Sequence, residues 1–415
     1  MSGRSVDVLL EDTLVGRLVE ANEGMVSFHF VDSYRRLPRR PVLGQKFEDD
    51  HHRVYRGKHG ELPAFFANLV PEGPLRELLE RSTGVSPGDD LGLLAAVGQD
   101  LPGAVILRPS IEPPDAATEA VASVTDTDSK ADNGDDEATP QLRFSLAGVQ
   151  LKLSLVRDAS RQLTLPARGQ RGEWIAKLAS PAIPGLPENE HTMLEWARAA
   201  GFDVPECHLQ RAEDMLAIPR QYIAHGTYVL AVRRYDRDGM RRIHQEDFAQ
   251  VVGSSPRFKY ENITYEKLAA IVSHIIDRSA LDEIVRRLAL IVACGNHDAH
   301  LKNWSLIYPD GIAAKLSPLY DQVCTVAWPG YDSDLALKLV GIKSFAQVDE
   351  RAFERLASKA GGEPRHTVEL ARTTVRTLAA AWGGVARQSA MPEEHIAALR
   401  EHWQRVPLLR DNGAL

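Results

Sequence analysis

Apolar and polar positions follow two different periods along this chain, and the change of period divides it. Near the start, VDVLLEDTLVGRLVE and MVSFHFV read as strands around polar turns. LPAFFANLVPEGPLRELLERSTG predicts a turn running into a helix that closes near Gly84. Together they make a small α+β unit over residues 1–108. A second run of short strands begins after residue 140: RFSLAG, QLKLSLVRD, QLTLPA and EWIAKLA. A helix from about Pro187 to Ala200 follows, ended by Gly201, and then the strand-like VPECHLQ, DMLAIPR and TYVLAVRRYD. From about Glu246 the period becomes helical: DFAQVVG, YEKLAAIVSHII, ALDEIVRRLALIVACG, DERAFERLASKAG, HTVELARTTVRTLAAAWGGVARQ and EEHIAALREHW. A β-rich half with one helix, followed by a helix-rich half, predicts two lobes with a cleft between them. No internal repeat is visible.

Composition sharpens this picture. A chain of 415 residues, 44% hydrophobic and 26% charged, holds two or three ordinary globular domains. It has no apolar run long enough for a membrane span and no signal-peptide core at its start, so neither a membrane nor secretion is expected. Three scattered cysteines, Cys207, Cys294 and Cys324, make neither a disulfide framework nor a closed zinc site, which fits a cytoplasmic protein. The net charge of −8 is local. Residues 111–140 hold nine acidic groups and one base, Lys130, and no aromatic residue; the rest of the chain is balanced. Such a stretch cannot bury enough apolar surface to order itself. Residues 109–140 are therefore expected to be a disordered acidic linker, serving as a spacer or as an interaction segment.

The strongest chemical signal is GNHDAHLKNWSLIY, residues 295–308. Asp298 and Asn303 are separated by four intervening residues after a long apolar helix; a strand-like WSLIY follows, then PDG, then KLSPLYDQV with Asp321. Phosphoryl transfer needs a carboxylate to take the hydroxyl proton, plus an amide oxygen and a second carboxylate to hold Mg²⁺ against phosphates. A D-x-x-x-x-N loop, a hairpin and a further Asp supply those groups in protein kinases. On that template Asp298 is the base and Asn303 and Asp321 are the magnesium ligands. His300 and Lys302 share the loop, placed to contact phosphate or orient Asp298. Two other readings stay open: a polar turn whose Asp and Asn serve as caps, and a metal centre of His297, Asp298 and His300 completed by Asp321. His297 stands where an ordinary eukaryotic-type kinase has Arg, and Gln322-Val323 where it has Phe-Gly.

Further positions fit an ATP site. Lys177 ends the apolar strand EWIAKLA, placed for the α- and β-phosphates, with Glu190 on the next helix to orient it. Ala147 and Gly148 allow backbone amides close to a phosphate, and Lys152 adds charge; a plain β-turn explains the same residues. Backbone groups near Arg233 and Tyr235 are candidates for adenine, and Asp236 for the ribose edge.

The combination FSLAGVQLKLSL, WIAKLA, NEHTMLEWARAAGFDVPE, VRRYDR, GNHDAHLKNWSL and LSPLYDQV, in that order, resembles the HipA family of serine/threonine kinases, the toxin half of bacterial toxin–antitoxin modules. LPAFFANLVPEGPLR and GQDLPGAVIL resemble that family's N-terminal subdomain, while the acidic stretch looks like an insertion. The resemblance implies an α+β, kinase-like bilobal fold: a β-rich N-lobe over residues 141–236, a helix-rich C-lobe over 237–415, and an extra N-terminal α+β subdomain. It implies ATP and Mg²⁺ as cofactors, and Ser145 as an autophosphorylation site whose modification switches the kinase off. Its implied partners are a HipB-like helix-turn-helix antitoxin, operator DNA through that antitoxin, and a protein substrate such as an aminoacyl-tRNA synthetase. A non-catalytic co-repressor scaffold and a small-molecule kinase are the competing functions.

Overall fold

The structure, a computed structural model, describes residues 4–111, 150–157, 163–164 and 172–412, apart from 22–23, 58–60, 216–217, 219, 224–225, 262 and 331–333. The N-terminal unit is one antiparallel sheet with short helices on it. Its strands are β1 (Ser5–Leu10), β2 (Thr13–Glu20), β3 (Val26–Phe30), β4 (Tyr55–Arg56) and β5 (Val105–Pro109), in the order β4-β3-β2-β1-β5. Its core is aromatic: Phe28, Phe47, Phe65 and Phe66 pack ring against ring under the sheet. Helix α1 (Gly73–Thr83) ends on Gly84 in the left-handed conformation, as its sequence predicts.

The β-rich lobe is a second antiparallel sheet. It contains β6 (Lys152–Arg157), β7 (Leu163–Thr164), β8 (Trp174–Lys177), β9 (Cys207–Arg211) and β10 (Tyr228–Arg233), ordered β7-β6-β8-β10-β9. The described residues of DMLAIPR are not in a strand: Asp214 closes a turn that begins at Ala212, Met215 and Ile218 drop into the sheet's small core, and Arg220 opens a short helix. A short apolar run is buried equally well by either conformation, so its pattern could not choose between them.

Helix α2 (Leu186–Ala199) crosses from this sheet to the helical lobe. Its Trp196 packs on Trp382 and Trp403, with centroids 4.9 and 5.7 Å away, and donates its indole N–H to the Leu378 carbonyl. The remaining long helices are α3 (Phe248–Val252), α4 (Tyr265–Ile275), α5 (Ala280–Cys294), α6 (Glu350–Ala360), α7 (Pro364–Gln388) and α8 (Glu393–Arg405). Helix α5 is buried along most of its length and ends at Gly295, whose φ of 62° turns the chain out of the helix. A Cβ there would meet both Val326 methyls at 2.8 Å, so only glycine fits. The helical half also holds strands, of which the sequence pattern marked only WSLIY: β11 (Arg237–Asp238) with β12 (Arg241–Arg242), β13 (His244–Asp247) with β14 (Ser305–Tyr308) and β15 (Lys315–Leu316), and the hairpin β16 (Asp334–Leu339) with β17 (Ile342–Ser344). Among the described residues, no helix is long and apolar enough to cross a membrane.

The N-terminal unit is bonded to both lobes. Asn68 donates to the Ser254 carbonyl at 2.8 Å, and Gln250 donates to that of Phe65 at 3.0 Å. At the β13 edge, Glu246 accepts from the Gln45 amide at 2.9 Å and from the Tyr308 hydroxyl. Burial pushes Glu246 up to about 8, and pushes the adjoining Asp247 up to about 6 against the opposing charge of Lys302. The folded protein therefore keeps a proton on Glu246 that the unfolded chain, with its ordinary value of 4.5, has released. That stabilisation is complete at acid pH and is lost as pH rises towards about 8. Glu246→Gln should flatten the fall in stability between pH 6 and 8, above the Asp247 titration, as measured by urea unfolding. A wild-type slope retained in the variant would show that Glu246 is not its source.

Candidate active site

The site is assembled from the sheet, helix α2 and the two loops that flank β14–β15. Lys177 ends β8 and is buried. Its ammonium is bonded both to Glu190, from the first turns of α2, and to Asp321, from the segment after β15. Lys152, opposite Lys177 in the β6–β8 register, reaches the other Asp321 oxygen at 3.2 Å. Two cations thus meet two carboxylates in one cluster, with Lys152 at its exposed edge. Burial works against charge at Lys177, Glu190 and Asp321. At Asp321 the two lysines overcome it and hold the carboxyl well below its ordinary value. At Lys177, Asp321 and Glu190 likewise overcome burial and raise the ammonium above its ordinary value, so it stays protonated. Asp321 has a φ of 52°, a left-handed conformation that aspartate tolerates better than most side chains.

Asp298 and Asp321 are brought together through Asn296, which follows the Gly295 turn. Its amide oxygen accepts the Asp298 N–H at 3.0 Å, and its amide nitrogen donates to the Asp321 carbonyl at 3.4 Å. Thr325 ties the same two segments: its hydroxyl donates to the Gly295 carbonyl and accepts the His297 N–H, at 2.7 and 2.8 Å. Asn189, beside Glu190, accepts the Cys324 N–H at 2.8 Å and so fastens α2 to the Asp321 segment. Asn303 donates its amide to the Asp298 carbonyl at 2.7 Å, which leaves its Oδ1 as the atom able to face a cation. The Asp298 carboxylate accepts the Tyr260 hydroxyl. Asn296, Asn189, Thr325 and Tyr260 were not singled out by sequence. Asn296 alone left a local trace, as an Asx residue two before Asp298 in a turn. The others act across 28 or more residues of chain.

Several sequence candidates stand elsewhere. Asp236 does not present a carboxylate to a ribose. Its oxygens are taken by Arg234 and Arg237 at 2.8–2.9 Å and by the Gly103 N–H at 2.7 Å. Despite its burial, the two guanidinium groups keep its carboxyl below the ordinary value. Asp236 docks the N-terminal loop Asp100–Gly103 onto the segment joining the lobes, where Asp100 also accepts from Arg234, Arg237 and Ser154. Lys302 points away from Asp298 and reaches Glu72 of the N-terminal unit at 2.6 Å. His300 lies 4.0 Å from Asp298, too far to orient it, and neither ring nitrogen finds a partner among the described residues. Burial, with Lys259 and Lys302 nearby, holds it well below its ordinary value, so it is neutral at physiological pH. Arg233 is exposed, and its amide is spent on the Glu206 carbonyl. The Tyr235 ring lies 5.8 Å from that of Tyr320. Ser145, Ala147 and Gly148 lie outside the described residues. The hydrolase-type metal centre finds no support: among the described residues, the one group of three candidate ligands is His191, Glu195 and Cys207. There Arg198 already donates to both Glu195 and Cys207.

Comparison with known proteins fits this geometry. The profile of the HipA-like C-terminal domain matches residues 144–382, and that of the HipA N-terminal domain matches residues 6–108. The chain belongs to the HipA family. A protein of Sinorhizobium fredii named "Putative kinase Y4dM" is 35% identical over 98% of both chains. The serine/threonine-protein kinase toxin HipA of Shewanella oneidensis is 26% identical over 68% of this chain and 67% of its own. Among solved structures, a chain from the Shewanella oneidensis complex of HipA, HipB and operator DNA superposes with a TM-score of 0.74. It is 18% identical and covers 98% of this chain and 96% of its own. The α+β kinase-like fold of the HipA family is therefore the fold of this chain.

The ion cluster makes a prediction that does not depend on function. Lys177→Met leaves Glu190 and Asp321 facing each other with Lys152 as their remaining partner, and should cost about 3–5 kcal/mol in urea unfolding. Adding Glu190→Leu should recover part of that loss. Additive losses would mean that the cluster is not the interaction described.

Proposed function

We propose that this HipA-family protein is an ATP-dependent protein serine/threonine kinase that acts as a growth-arresting toxin. The observation that carries this reading is Asn296, which joins the Asp298 loop to the Asp321 segment beside a lysine held by Glu190. Asp298, its carboxylate oriented by Tyr260, would accept the proton of the attacking hydroxyl. Asn303 Oδ1 and the Asp321 carboxylate form the small all-oxygen donor set suited to Mg²⁺, which prefers a few protein ligands plus water and phosphate. Lys177, with Lys152 beside it, would hold the nucleotide's phosphates. Both lysines are now bonded to Asp321, so the pocket's charges are satisfied without a ligand. When bound, ATP supplies the phosphoryl group, and Mg²⁺ offsets the charge on its phosphates.

Serine/threonine specificity and the toxin role are supported by the relationship to the Shewanella protein that bears that name. A HipB-like helix-turn-helix antitoxin, itself bound to operator DNA, is the partner we assign. The related fold occurs in a complex with HipB and operator DNA. Ser145 would be the site of self-inactivation, as the family resemblance suggests, since a phosphate there adds about two negative charges. A translation enzyme such as an aminoacyl-tRNA synthetase is the substrate class that the family resemblance suggests.

The test is incubation of the purified protein with labelled ATP and Mg²⁺, followed by phosphosite mapping. Label should appear on Ser145 and fall by at least ~10³-fold in Asp298→Ala and in Asp321→Ala. Undiminished labelling in either variant would sink the assignment of roles. Turnover that requires an added sugar or drug would favour a small-molecule kinase, and absence of ATP binding a scaffold.

A further inference from the structure

The segment LPAFFANLVPEGPLR is left unexplained by the kinase centre, yet it ends on that centre's loop. Glu72 occupies the N-cap position of α1, but its side chain does not cap the helix. It turns instead to two lysines of the C-lobe, Lys302 at 2.6 Å and Lys259 at 3.3 Å. Lys302 lies between Asp298 and Asn303 in sequence, and its ammonium also donates to the Asn68 carbonyl at 3.3 Å. Lys259 precedes Tyr260, the residue bonded to the Asp298 carboxylate, and its carbonyl accepts the Leu301 N–H at 3.1 Å. One carboxylate from the N-terminal unit thus grips both sides of the loop that bears the base. Burial would raise Glu72, but the two ammonium groups overcome it and hold the carboxyl down to about 2, so it is ionised throughout the physiological range. Without that charge, Lys302 and Lys259 would face each other in a half-buried crevice with no shared anion.

We infer that Glu72 is a positioning residue for the catalytic loop, and that the N-terminal subdomain is a structural part of the catalytic centre. Glu72 contacts neither nucleotide nor hydroxyl; it acts through Lys302 and Lys259 on Asp298, Tyr260 and Asn303. The inference rests on the kinase reading for its kinetic test and on geometry alone for its structural one. Displacing a base by about 1 Å costs on the order of 10²-fold in rate. Glu72→Ala and the isosteric Glu72→Gln should therefore lower kcat for phosphoryl transfer by about 10–10²-fold. KM for ATP should change less than about twofold, because the Lys177–Glu190–Asp321 cluster makes no contact with Glu72. Glu77→Gln, an exposed glutamate on the same helix, should leave both constants unchanged. The charge-exchanged pair Glu72→Lys with Lys302→Glu should regain part of the lost kcat. Hydrogen exchange gives the second readout: Glu72→Gln should speed exchange at 258–261 and 298–304 while the strands of the N-terminal sheet keep their protection. If the wild type transfers no phosphoryl group, the kinase reading fails and exchange alone decides the matter. Unchanged exchange in Glu72→Gln, or a kcat loss matched by Glu77→Gln, overturns the inference.

Discussion

The neutral cluster of Lys177, Glu190, Asp321 and Lys152 is the constraint on which the site depends. Each partner comes from a different element: a strand end, a helix, a loop after a hairpin, and a neighbouring strand. Lys177 and Glu190 cannot be buried alone, because an unpaired buried charge costs several kcal/mol. The sheet, α2 and the Asp321 segment must therefore close on one another together. Helix α2 is fixed on its other side by Trp196 among Trp382 and Trp403, so the Glu190 end belongs mechanically to the helical lobe. Lys177, bonded to Glu190 and Asp321, thus links the sheet to the helical lobe.

The loop bearing Asp298 gains its shape from short polar residues. Gly295 ends α5 in a left-handed turn that no side chain could share with Val326. Asn296 and Thr325 then exchange side-chain hydrogen bonds with the facing segments. Hydrogen bonds of this kind contribute little net stability each, about 0.5–1.5 kcal/mol, but leaving them unmade in a buried loop is costly. They act as a directional constraint that ties the Asp298 loop to the Asp321 segment.

The N-terminal unit is integrated by polar contacts more than by a shared apolar core. Its aromatic cluster is separate from that of the helical lobe. What joins them is a set of specific partners: Asp236 with Gly103, Asp100 with two arginines, Glu246 with Gln45, and Glu72 with two lysines. Such an interface fixes orientation closely, since charge-assisted hydrogen bonds are short and directional. It also explains why a segment remote in sequence from the catalytic loop can set that loop's position.

Hydrophobic periodicity alone marked the long helices of the C-lobe, the first three strands of the N-terminal sheet and most strands of the second sheet. Burying an amphipathic face is a local demand that the pattern displays openly. Local spacing singled out Asp298, Asn303 and Asp321 as candidates, and Lys177 was singled out as the last residue of an apolar strand, which is where β8 ends. The partners of each charge were decided only in three dimensions. Asp236 and Lys302 read as site residues by their neighbours in sequence, yet Asp236 meets Gly103 and Lys302 meets Glu72, each more than 130 residues away. Electrostatic pairing depends on distances of a few ångströms between groups that chain order does not encode, whereas burial of a face depends mainly on neighbours three or four residues apart.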